Sequence, residues 1–398
     1  MNVRNDFPML KQNIIYFDNG ATTFKPYSVI NAIVDYYSNY TANAHRGDYD
    51  NSLKVDEKYE GTRENVCQFI NASNTKEIIF TSGATDSLNM IVNGFFKYNL
   101  KSGDEILITR SEHASLVLPW FELAEQLGCI IKYIDLNEDL KVTMDNVKAS
   151  VTNKTKVIAL AHTTNVVGDI RPIKAITQYA HQQGIYVVVD GAQSVPHIKV
   201  DVQDLDVDFL TFSGHKMLGP TGIGVLYGKE FLLKKLKPHN VGGGMNVDFT
   251  SLKEFSYREL PHRLEAGTPN IAGVIGLGAA IDYINKVGID NITKHEQMLK
   301  QYAVQKLNSL PNIEVYNPNT KAGIIAFNVK GVFSQDTAVY LNKYNVCVRA
   351  GNHCAKMLSE DINVSSTCRI SFYLYNTTEE IDYLVSLLDN KDILRESL

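Results

Sequence analysis

Between residues 77 and 227, short β-branched runs that end in small or polar residues alternate with longer stretches of helical period. That alternation confines the chain to a parallel sheet with crossover helices. The runs fall at 77–81, 105–109, 130–134, 156–160, 185–190, 208–212 and 223–227. Stretches such as 82–96 and 172–183 have the length and period of helices, with Ser82 and Asp169 near their starts as caps. In an open sheet of this kind, ligand groups are expected at the carboxyl ends of the strands. At 237–269 the alternation fails, and Gly242, Gly243 and Gly244 followed by a polar stretch read as a long loop or mobile flap able to cover a site. A small-residue helix at 274–287, another at 294–310 and an α+β pattern through 381–388 come after it. A chain of 398 residues exceeds what one core usually organises. The expected architecture is therefore α/β: a large domain, 13–280, with a mainly parallel seven-stranded sheet, and a smaller α+β domain, 281–398, joined by 1–12.

Composition narrows the function. With 44% hydrophobic and 21% charged residues, and no apolar run of membrane-spanning length, a soluble protein is expected. Residues 1–12 carry charges and a proline and do not read as a secretory signal, so the cytoplasm is the expected location. The net charge of -5 is interspersed, which argues against a nucleic-acid partner. Cys67, Cys129, Cys347, Cys354 and Cys368 are odd in number and scattered, as suits a reducing compartment. No metal is expected, because Cys347, His353, Cys354 and Cys368 contain no Cys-x-x-Cys pair.

The run at 185–190 ends in Asp190, a carboxylate at the edge of a buried sheet that needs a cationic partner. The next run leads into Ser213-Gly214-His215-Lys216, so consecutive strands bring an acid and an amine to one edge. A pyridine ring bonded through a Schiff base to Lys216 would place its protonated nitrogen near Asp190 and accept electrons from a substrate carbanion. The plainer alternative makes Asp190 a helix cap and Lys216 a solvated turn residue. At Thr81-Ser82-Gly83-Ala84-Thr85 a strand turns into a helix through glycine, offering N–H groups and hydroxyls to a phosphate, with Ser213 and His215 opposite. His113, just past another strand end, can stack on a ring or move protons, although a lone histidine there is more often structural. Cys354 lies near Arg349 and His353 in a glycine-containing turn. Neighbouring cations favour a thiolate, whereas most free cysteines are small buried hydrophobes. Arg369 in Cys368-Arg369-Ile370-Ser371 is placed to clamp a carboxylate, or is a surface residue.

Together with Tyr16-Phe17-Asp18-Asn19-Gly20-Ala21-Thr22-Thr23, His45-Arg46-Gly47, Asp190-Gly191-Ala192-Gln193 and Glu265-Ala266-Gly267-Thr268-Pro269-Asn270, these motifs run nearly end to end. The sequence resembles the cysteine desulfurases of the class V aminotransferase family, in the group that includes selenocysteine lyases. The resemblance implies a fold-type I pyridoxal 5'-phosphate enzyme. By position, Lys216 would carry the cofactor, Asp190 would pair with the pyridinium, Gln193 would contact the ring oxygen and His113 would stack on the ring. Ala84, Thr85, Ser213 and His215 would form the phosphate site, joined by Thr268 from a second subunit, which implies a homodimer. Arg369, Asn165, Arg349 and His45 would surround the substrate, L-cysteine, and Cys354 would accept its sulfur. The implied products are alanine and a Cys354 persulfide, destined for an acceptor or scaffold protein of iron-sulfur or thio-cofactor assembly. Three positions depart from the family pattern: Asn352 where a histidine is usual, the methyl of Ala84 where a hydroxyl can stand, and Met245-Asn246 without the frequent acidic residue. The rival readings are a selenocysteine lyase, another aminotransferase or lyase of the same cofactor class, and a non-catalytic partner-binding member.

Overall fold

The computed structural model describes residues 2–390 and 393. Met1, 391, 392 and 394–398, which the sequence reading counted with the smaller domain, lie outside the described residues. All seven apolar runs become strands of one sheet, ordered Ile78–Thr81, Gly224–Gly228, Phe209–Ser213, Tyr186–Asp190, Thr155–Ala161, Glu105–Ile108 and Ile130–Tyr133. Gly224–Gly228 runs antiparallel to both its neighbours, and the other pairings are parallel.

The continuous apolar character of these strands has a direct cause. A strand points successive side chains to opposite faces, and here both faces are covered. Val187 and Val189 pack into the core beneath the helices Tyr27–Asn39, Asp50–Phe69, Ile173–Gln182 and Ile271–Val287. Val188, between them, packs into the core beneath Ala84–Gly94 and Ala114–Leu127.

A second, antiparallel sheet is ordered Ile313–Val315, Ile324–Val329, Thr367–Ser371 and Arg349–Gly351. Its core includes Leu299, Tyr340 and Leu384, from the helices Ile289–Asn308, Ser334–Lys343 and Thr378–Leu388. The last of these starts on a capping box between Thr377 and Glu380. The N-terminal segment reaches across to this unit: Ile15–Tyr16 pairs in parallel with Val346–Cys347, and Asp18 bridges to Ser371.

Three local expectations are corrected. Ser82 does not cap its helix; Gly83 holds that place without a side-chain bond, while the Ser82 hydroxyl donates to Asp86 at 3.1 Å. Asp169 is no cap either, because its Oδ2 accepts from Val142 N at 3.0 Å and the helix begins after Pro172. The region 237–269 is not wholly irregular: Asn246–Phe249 and Phe255–Tyr257 form a hairpin, and His262–Leu264 is a short 3-10 turn. Val247, Phe249, Leu252 and Phe255 on this hairpin are exposed, so it lacks the buried face that makes a strand pattern readable.

Candidate active site

Carboxyl ends of five of the seven strands meet the second sheet at a cleft of about 160 Å³. Its walls include Ala84, Thr85, His113, Asn165, Asp190, Ser213, His215, Lys216, Arg349, His353 and Arg369. Most of the expected site residues therefore come together in one place.

One end of the cleft is the turn into the helix Ala84–Gly94. Because Gly83 offers no capping side chain, the first N–H groups stay available except Ala84 N, which donates to Ser213 Oγ at 2.8 Å. The backbones pack tightly here: a Cβ on Gly224 would lie 2.4 Å from Gly83 Cα. Thr85 Oγ1 and Ser115 Oγ are 2.7 Å apart. Burial, with Lys216 and Lys25 nearby, brings His215 down to about 4, so its ring is neutral near pH 7. A helix N-terminus with hydroxyls and an imidazole suits a phosphate.

Beyond it lie Asp190 and Lys216. Burial pushes the Asp190 carboxyl up, against the opposing pull of Lys216, and the same burial pushes the Lys216 amine down despite Asp190. Asp190 Oδ1 accepts from Ala192 N at 2.9 Å, and among the described residues the Lys216 amine makes no hydrogen bond or ion pair. An enclosed acid and amine that do not bond each other leave room for a group between them. His113 Nδ1 accepts from Ser115 N at 3.1 Å, which leaves the ring proton on Nε2. Burial and the charges of Lys216, Arg369 and Arg349 lower His113 to about 4.

At the other end Arg349 and Arg369 are register partners on adjacent antiparallel strands. Like charges directly opposite each other are unfavourable, and an anionic ligand relieves them. Arg369 donates to Asp18 Oδ1 and to the Asn165 carbonyl, each at 2.8 Å, while its Nε is buried without a partner. Burial lowers Arg369, and the neighbouring Arg349 adds to that effect. A Cβ on Gly20 would come within 3.1 Å of the Arg369 guanidinium carbon, so a side chain there would press on the guanidinium.

Cys354 is exposed and does not line the cleft wall, yet a thiolate there would act electrostatically on Lys216. Its carbonyl accepts from Ala114 N at 2.7 Å, which ties the cysteine turn to the helix that follows His113. His353 and Cys354 both have left-handed backbone, φ 51 and 57.

Three further expected residues lie outside these walls. Gln193 donates to the Gly20 carbonyl at 2.7 Å and keeps its Oε1 unpartnered. Thr268 is exposed in the turn before Ile271–Val287. His45 sits with Asp56, Glu60 and His262. His45, Glu60 and His262 hold ligand-type atoms within 4.8 Å of one another, but Glu60 is already paired with Arg63 at 2.8 Å.

Sequence reasoning missed the support beneath the cleft. Glu112 and Arg171, both fully buried, pair directly. Glu112 also accepts from Ala161 N at 2.8 Å and from Thr109 Oγ1 at 2.7 Å. Arg171 donates to Thr109 Oγ1 at 2.9 Å and Ser111 Oγ at 2.8 Å. Only a charged residue beside a strand end hinted at this, and 59 residues separate the partners.

The class-V aminotransferase family matches residues 15–384, and the chain belongs to it. The particular relatives are narrower in kind. A probable cysteine desulfurase of Halalkalibacterium halodurans is 45% identical over 392 residues, 97% of this chain and 96% of that protein. One from Staphylococcus aureus is 44% identical over 393 residues, covering 97% and 95%. Among solved structures, the apo cysteine desulfurase of Thermococcus onnurineus NA1 matches with a TM-score of 0.94 at 37% identity, covering 98% and 96%. The Escherichia coli cysteine desulfurase CsdA matches at 0.91 and 36%, covering 97% and 96%.

Proposed function

We propose that this protein is a pyridoxal-phosphate-dependent cysteine desulfurase that converts L-cysteine to L-alanine and carries the sulfur on Cys354. The observation that carries the reading is the position of Cys354 beside a cleft that combines an unpaired lysine with two opposed arginines. The cofactor fits the residues present. Lys216 would hold it covalently, Asp190 would face its ring nitrogen, and Ala84 N–H neighbours, Thr85, Ser213 and His215 would take the phosphate. Bound there, it supplies an electron sink for the substrate's Cα.

The chain's own residues do the rest. Arg369, with Arg349 and the Asn165 side chain, receives the substrate carboxylate. His113, neutral at working pH, would offer the ring an uncharged face. The Lys216 amine, placed inside the cleft, would take the Cα proton. Cys354 Sγ, as thiolate, attacks the substrate sulfur: the S–S bond forms, the Cβ–S bond breaks with its electron pair left on carbon, and protonation gives alanine. The persulfide sits on an exposed residue, where an acceptor or scaffold protein for iron-sulfur or thio-cofactor assembly can take it.

The proposal extends to assembly and place. A second copy would cover the exposed Val247, Phe249, Leu252 and Phe255 and bring its own Thr268 to the phosphate, making a homodimer of the group that includes selenocysteine lyases. Gln193 and His45 would meet cofactor and substrate in that assembly. The domain division at 280 and a cytoplasmic location belong to the same reading; among the described residues no single helix is long and apolar enough to cross a membrane.

The test is to incubate the holoenzyme with L-cysteine and a thiol reductant and assay alanine and sulfide together. Equal release of both is expected. Cys354→Ser should keep the yellow cofactor absorbance and lose sulfide release by more than about 100-fold; unchanged turnover in that variant would overturn the reading.

A further inference from the structure

Near Cys354 one buried polar atom has no role in the chemistry above. His353 is 5% exposed and lines the cleft. Its Nε2 lies 3.0 Å from the Thr367 carbonyl and 2.9 Å from Thr367 Oγ1. A carbonyl oxygen only accepts, so Nε2 carries the ring proton. Burial, reinforced by Arg369 and Arg349, holds the imidazole at about 3, so no second proton binds near neutral pH. Nδ1 is then a bare lone pair, and it is buried without a hydrogen-bond partner. Asn165 Nδ2 donates to the His353 carbonyl at 2.7 Å, which fixes the residue against the arginine end of the cleft.

A buried acceptor in a ligand cleft calls for a donor on the ligand. The arginines satisfy the substrate's carboxylate, and its amino group would be taken at the Lys216 end of the cleft. The thiol remains, and it must approach Cys354, the next residue in the chain. Two thiolates repel, whereas a sulfur that keeps its proton presents no charge to the attacking one.

We propose that His353 Nδ1 accepts a hydrogen bond from the substrate's S–H, keeping that sulfur protonated while Cys354 attacks, and so selects a thiol over a selenolate. The inference rests on the desulfurase reading. The proton stays on the transferred sulfur throughout: the S–S bond forms, the C–S bond breaks, and the terminal group of the persulfide retains the hydrogen that His353 held. A selenol is more acidic than a thiol and is ionised at neutral pH. It has no hydrogen to donate and meets the lone pair instead.

The amide of glutamine can replace the Nε2 donor and that of asparagine can replace the Nδ1 acceptor, which separates the selecting atom from the anchoring one. The measurement is kcat/KM for L-cysteine and for L-selenocysteine, taken as a ratio on holoenzyme. His353→Gln should lower the cysteine-to-selenocysteine ratio about tenfold, the worth of one hydrogen bond. His353→Asn should keep the ratio within about threefold of wild type even if the loosened turn slows both substrates. An unchanged ratio in His353→Gln, or an equal fall in both variants, overturns the proposal. Should His353→Gln fail to fold, a fall in ratio for His353→Asn decides against it and a kept ratio for it. Wild-type protein that releases no alanine from cysteine strikes the desulfurase reading itself, and this inference with it.

Discussion

Glu112 and Arg171 lie in the layer just below Asp190 and Lys216, and the two pairs of opposite charge are built in contrary ways. The lower pair bonds directly, and Thr109, Ser111 and the Ala161 N–H occupy most of its remaining capacity; Arg171 Nε, 3.7 Å from Asp169, is its one atom without a hydrogen-bond partner among the described residues. The upper pair stays apart, with one backbone hydrogen bond to the acid and none to the amine. Around it Asn165 Oδ1, His353 Nδ1 and Arg369 Nε are also unpartnered. Satisfied buried charge supports structure, whereas unsatisfied buried charge is held in reserve for a ligand.

If that contrast is right, the two layers respond oppositely to substitution. Lys216→Ala should cost the holoenzyme about 10⁴-fold in turnover, at the upper end for loss of a proton-transferring group. The melting temperature of its cofactor-free form should hold or rise, since a buried amine without a partner is lost. A fall in melting temperature would break the contrast. Arg171→Met should act the other way, leaving Glu112 as an uncompensated buried charge and destabilising by about 3–5 kcal/mol in urea unfolding. Removing both charges together should cost less than the sum of the single changes.

The smallest effect sharpens the comparison through pH. His162 bridges the layers by its backbone, accepting from Arg171 N and donating to the Asp190 carbonyl, each at 2.9 Å. Burial, with Arg171 adding to it, lowers its imidazole to about 4. Because the folded value lies below the unfolded one, the unfolded chain takes the proton first as pH falls. Stability is therefore full above about 6.5 and is lost as pH drops toward 4, by up to about 3 kcal/mol from this group. Against wild type, His162→Gln should show a correspondingly shallower decline in urea-unfolding free energy between pH 7 and 4; parallel curves would remove His162 from the account.

The same contrast explains what could be read in the sequence. Most of the seven central strands were legible because burial on both faces leaves continuous apolar runs such as Val187-Val188-Val189, the edge strand Ile130–Tyr133 being the more open exception. Asp190, Ser213 and Lys216 were legible because they follow such runs. The hairpin at 246–257 was not, since its Val247 and Phe249 face outward and nothing among the described residues supplies their cover. Ser82 and Asp169 were misread as caps because a hydroxyl or carboxylate near a helix start has other partners available, here Asp86 and Val142 N. Glu112 with Arg171, Asp18 with Arg369, and the opposition of Arg349 to Arg369 depend on pairings between distant segments that no local spacing encodes. His353 stood in the Cys354 motif, but its bare nitrogen follows only from where the Thr367 carbonyl lies.

The consecutive left-handed residues His353 and Cys354 set a course for how this protein can change over time. Side chains other than glycine cost on the order of 1–2 kcal/mol each in that backbone region, so glycine in place of the exposed Cys354 relieves that cost without emptying a buried site. Selection for thermal endurance alone would gather such variants first. Each would be sturdier and would have discarded the thiol, so only continued demand for sulfur traffic keeps a cysteine in that awkward place.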